Sequence, residues 1–73
     1  MKKYLILTMS KSTGVYDDTY IYATSPKDNA ISEYLDDITK SSGNILWAIF
    51  PDNVSYDTAL SYFKKYTAHR IAG

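Results

Sequence analysis

Six apolar residues in a row, Ile45 to Phe50 within NILWAIF, stand between Gly43 and Pro51. The stretch reads as a strand that Pro51 ends. Strands that are apolar at every position are usually covered on both faces, because neither row of side chains is fit for water. A chain of 73 residues is one domain, here residues 1–73. At this size folding hides only about 60–65% of the surface that the unfolded chain exposes. The strand therefore asks a small protein to cover it twice, or to borrow a cover.

The rest of the chain supplies the partners. Lys3 to Ser10 alternates Leu5, Leu7 and Met9 with Tyr4, Ile6 and Thr8, the period-two signal of a strand with both faces fairly apolar. Ser12, Thr13 and Gly14 mark a hairpin loop. A second strand, Asp18 to Thr24, sets Thr19, Ile21 and Ala23 against Tyr20, Tyr22 and Thr24. A first helix is expected from a Ser25 cap and Pro26 to about Lys40, burying Ala30, Ile31, Tyr34, Leu35 and Ile38, with Gly43 as its stop. A second helix follows, capped by Ser55 and stapled by Val54 onto Ala59, with Ala59, Leu60, Phe63 and Thr67 facing inward. The order is ββαβα. A right-handed crossover makes the third strand parallel to the second, and the simplest sheet then places the first strand in the centre, order 2-1-3. The class is α+β, in two layers, with a three-stranded, mostly antiparallel sheet packed against two helices.

Composition narrows the chemistry. Cysteine is absent and His69 is the one histidine, which excludes a disulfide framework and a Cys-ligated zinc site. No cofactor or metal is expected. Eight basic residues balance eight acidic ones, whereas nucleic-acid binders usually carry a basic excess. The apolar part of MKKYLILTMS is interrupted at Thr8 and is shorter than a signal-peptide core, and no stretch reaches the length of a membrane span. The expectation is a cytoplasmic protein with no membrane role. No G-x-S-x-G elbow or glycine-rich phosphate loop occurs, and His69 lies too near the end to hold acid–base geometry. The chain reads as a non-enzyme.

The placement of the helices decides the surface. With both on one sheet face, the other shows Tyr4, Ile6, Tyr20, Tyr22 and Trp47, an aromatic patch fit for a protein partner or a second copy in a homodimer. With one helix on each face, the same stripe is core. Asp28, Glu33, Asp36 and Asp37 form an acidic row on the first helix, a docking face for a basic partner or simply a solvated surface. Lys64, Lys65, His69 and Arg70 gather near the C-terminus, where they complement the helix dipole. They also support an alternative reading, a small single-stranded nucleic-acid binder that stacks bases on the tyrosines.

In size, neutrality and lack of motifs the chain is similar to small phage- or mobile-element-encoded inhibitors of the anti-CRISPR or anti-restriction kind. That character implies a protein-binding module that occludes a surface of a larger host defence or nucleic-acid-processing protein.

Overall fold

A computed structural model describes the backbone of residues 1–72 and the side chains of residues 1–68. His69 and Arg70 thus lie outside the described side chains. The elements run β1 (Lys2–Ser10), β2 (Tyr16–Ala23), α1 (Asn29–Ser42), β3 (Ile45–Pro51) and α2 (Tyr56–Ala72). The sheet has the order β2-β1-β3, and both pairings with β1 are antiparallel. The ββαβα order, the central first strand and the α+β class are as the sequence predicts.

The layering differs from expectation. Tyr4 and Ile6 of β1 pack with Ile31 and Leu35 of α1, whereas Leu5, Leu7 and Met9 pack with Ala59 and Phe63 of α2. Alternate residues of a strand point to opposite faces, so the helices lie on opposite sides and the sheet is the middle of three layers. This covers β3 only in part, since none of its residues is fully buried and Trp47 stays 48% exposed; β1 is the strand most fully covered, with every residue from Tyr4 to Met9 buried. Interdigitation on both sides lets a short sequence build two small cores rather than one thin one.

Helix α1 begins later than expected. Ser25 and Pro26 belong to a turn, closed by the Asp28 N–H donating to the Ser25 carbonyl at 3.1 Å. The cap is Asp28, whose carboxylate accepts from the Thr24 N–H and hydroxyl, both at 2.8 Å, and from the Ala30 N–H at 3.0 Å. Asp caps as well as Ser, and here it also gathers the end of β2. Ala30, in the first turn, stays exposed. Gly43 ends the helix as expected, at φ 76° and with its N–H on the Thr39 carbonyl at 2.9 Å. On α2, Ser55 is the cap, accepting from the Thr58 N–H at 3.2 Å, and Val54 packs against the cluster that holds Ala59.

The hairpin is tied to the last helix by one polar contact. The Tyr16 hydroxyl lies 2.6 Å from Thr67 Oγ1, and the Thr67 hydroxyl lies 3.2 Å from the Lys64 carbonyl. Thr67 has one proton and gives it to that carbonyl, so Tyr16 is the donor to Thr67. Tyr16 also meets Phe63 edge to face at 5.9 Å. Among the described residues no helix is long and apolar enough to cross a membrane.

Candidate functional site

The register between β1 and β2 redistributes the expected aromatic face. Tyr4 stands opposite Ile21, and Leu5 opposite Tyr20; directly opposed residues share a face. Tyr4, Ile6 and Trp47 therefore lie on the α1 side, Tyr4 and Ile6 buried in its core. Tyr20 and Tyr22 lie on the α2 side with Leu5 and Lys3. The single five-residue surface predicted from sequence does not form, because the strand offset that would align its members is one residue away from the one adopted.

What remains on the α2 side is a smaller surface on β2. Helix α2 packs over β1 and β3, which leaves Tyr20 49% and Tyr22 64% exposed. The Lys3 ammonium sits 4.9 Å from the centre of the Tyr20 ring, leaning from the central strand over β2, and is 3.7 Å from Asp52 Oδ1. Tyr56, at the start of α2, adds a third half-exposed ring. Its hydroxyl is raised above the ordinary tyrosine range, first by its hydrogen bond to the Asp18 carboxylate. Below it runs a cleft of about 180 Å³ between β2 and α2, lined by Tyr16, Asp18, Tyr56, Leu60 and Lys64 among others. The whole surface borders the outer edge of β2, whose backbone groups have no strand beyond them among the described residues. Tyr56 and the reach of Lys3 are invisible to local sequence reading, since only the tertiary pairing of α2 with the hairpin brings them to Tyr20.

The acidic row on α1 is not one patch. Asp28 spends its carboxylate on the cap, and its carboxyl is held below the usual range, first by the Thr24 N–H, then the Ala30 N–H and the Thr24 hydroxyl. Asp36 borders a groove of about 230 Å³ toward β3, with Leu35, Trp47 and Ile49. Asp37 borders another toward β2, beside Asp17 and Tyr34. Burial, with Asp17 and Asp18 nearby, pushes the Tyr34 hydroxyl up, so it stays neutral. Glu33 is exposed one turn from Asp37.

The basic cluster divides as well. Lys64 reaches over the Tyr16 ring at 5.7 Å, on the β2 side of α2. Lys65 lines a different depression along α2, with Asp57, Ser61 and Tyr62.

Comparison with protein-family models, with curated proteins and with solved structures finds no match, so the functional reading rests on this chain's own geometry.

Proposed function

We propose that this chain is a non-enzymatic protein-binding module that works through the aromatic surface of β2. The observation that carries the reading is the pair Tyr20 and Tyr22, roughly half exposed on an edge strand that its helix leaves open. Tyrosine gives large contact area at small entropic cost and keeps a polar tip for the rim, which is why it anchors interfaces. An open edge adds backbone hydrogen bonds to the same contact, the mode of β-strand addition. In its finer form the module is a cytoplasmic inhibitor that occludes a larger defence or nucleic-acid-processing protein. Glu33, Asp36 and Asp37 are exposed on α1, on the opposite side of the sheet, so Asp17 and Asp18 at the head of β2 are the charges that support a target with a basic surface beside the tyrosines.

A nucleic-acid reading has less support. Asp17 and Asp18 flank the tyrosines, and Lys64 and Lys65 serve separate depressions rather than one track. The test replaces Tyr20 and Tyr22 with Ser. Melting temperature should hold, because both rings are surface residues, while capture of interacting protein from extract and any self-association are lost. Unfolding of the double variant would show the two rings to be core and sink the reading.

A further inference from the structure

The charges around β2 are sorted by end, and this selects an occupant for its edge. Asp17 and Asp18 lie at the start of the strand. At its other end Ala23 pairs with Lys2 and Tyr22 with Lys3, and Lys27 follows in the turn. Of the carboxylates near that end, Asp28 is turned inward as the α1 cap. Asp52, just past β3, holds Lys3 in a solvent-exposed ion pair at 3.7 Å, a contact of little strength that Lys3 gives up to reach a second copy. At the acidic end Lys64 shares a cleft with both Asp17 and Asp18, and Asp17 also borders the groove that holds Asp37, so two carboxylates face the one lysine of that cleft. A strand that is acidic at one end and lysine-flanked at the other is complementary to itself when reversed.

We infer that the edge of β2 pairs with β2 of a second copy of this chain, antiparallel about a two-fold axis at Tyr20, giving one six-stranded sheet. The inference rests on the binding reading above and names the partner.

Geometry leaves few registers. A two-fold axis normal to the sheet keeps the two α2 sides together, and opposed residues must share a face. The pairing therefore centres on a residue rather than between two. Centred on Asp18, it sets two carboxylates directly opposite, which repel. Centred on Thr19, it puts Asp18 in the row of the second copy's Tyr20 and Leu5, with no countercharge. Centred on Ile21, the overlap shrinks and both aspartates run past the end of the strand. Centred on Tyr20, nearly the whole strand pairs. Asp18 then shares a row with the second copy's Tyr22 and Lys3, and Asp17 one with its Ala23 and Lys2.

The span from Asp18 to that Lys3 is two strand spacings, about 9.6 Å between backbones. Lys3 already leans over β2 toward it. Tyr20 meets its own copy across the axis, a favourable aromatic pair. The other edge offers no such match, since β3 carries no charged residue and ends in Pro51, which lacks an N–H. The contact falls at the small end of protein interfaces, below about 1,200 Å² in total, so association depends on concentration.

The test is solution mass by sedimentation equilibrium from micromolar to millimolar chain. The mass should climb from 8.3 kDa toward twice that value. Asp17→Lys with Asp18→Lys makes both ends basic, and Lys2→Glu with Lys3→Glu makes both acidic. Each double variant alone should associate about tenfold or more weakly, because like charges then meet at both ends. An equimolar mixture of the two should recover association, since every end then faces its opposite. A chain carrying Lys40→Glu and Lys65→Glu has the same net charge as the acidic variant but in other places, and it should not rescue the basic one. Circular dichroism of each variant confirms that it folds.

A mass fixed at the monomer value overturns the proposal. So does a dimer that neither reversal weakens, or a mixture that fails to recover. If the chain is monomeric while the Tyr20 and Tyr22 serine variant still loses capture of a foreign protein, the second copy is excluded and the broader binding reading survives.

Discussion

The contact between Tyr16 and Thr67 bridges positions 51 residues apart, and its energy can be isolated. Tyr16→Phe removes the donor while leaving the ring on Phe63. Thr67, still bonded to the Lys64 carbonyl, is not orphaned. The loss is then one neutral hydrogen bond, about 0.5–1.5 kcal/mol. Thr67→Val removes the acceptor from a fully buried site and strands a half-buried tyrosine hydroxyl, costing about 1–3 kcal/mol. In a domain of this size 1 kcal/mol is worth roughly 4–8 °C in Tm.

The double variant has neither partner left to orphan, so it should cost less than the sum of the single changes, by about 1 kcal/mol. Urea and thermal unfolding of the four chains, followed by circular dichroism, give the coupling directly. If the double change equals the sum within about 0.3–0.5 kcal/mol, the ordinary scatter for independent sites, the two hydroxyls do not stabilise each other and the tie is refuted. An unchanged Tm for Tyr16→Phe would refute it as plainly.

Three further expectations concern the helices and the core. The Asp28 carboxyl is lower in the folded chain than unfolded, so its contribution is complete above about pH 4, the unfolded value, and fades as pH falls through the folded one. Melting temperatures from pH 2 to 6 should show wild type losing part of its acid-side stability that Asp28→Asn, which caps without titrating, does not lose. Gly43→Ala should cost about 1–3 kcal/mol in chemical unfolding, although a Cβ there would touch nothing. The cost is backbone strain at φ 76°, and an unaffected variant would mean that the helix end relaxes. Phe63→Ala, at 1% exposure, should lose about 3–5 kcal/mol. A 73-residue domain has roughly 4–11 kcal/mol in all, so the variant should lose a large share of its stability and melt about 12–40 °C lower, and a shift of only a few degrees would place Phe63 outside the core.

Local pattern was enough for element order and sheet topology. Alternation in β1 and β2, the Gly43 stop and the Ser55 cap are each written in a few adjacent residues, and chain-crossover handedness did the rest. The layering was not legible, because it depends on how one strand's phase is set against another's. Whether Tyr20 faces Leu5 or Tyr4 is fixed by the span of the hairpin loop and by what α1 and α2 cover, and no short window contains that choice. Tyr16 shows the same limit. Beside Asp17 and Asp18 it reads as turn, yet it belongs to β2 because Phe63 and Thr67 hold it there. Ser25 loses the cap to Asp28 for a related reason: only the folded chain returns Thr24 to within reach of that carboxylate.

Placing one helix on each side of β1 also has a kinetic side. The α1 core closes on residues up to Leu35, with Ile49 joining from β3, but the opposite side of the same strand waits for Ala59 and Phe63. Leu5, Leu7 and Met9 precede Ala59 and Phe63 by about fifty residues, so during synthesis that side of the strand stays uncovered until α2 has been made. Such intermediates invite chaperone capture or misassembly. Premature stops before α2 should accordingly yield insoluble fragments rather than a smaller folded domain.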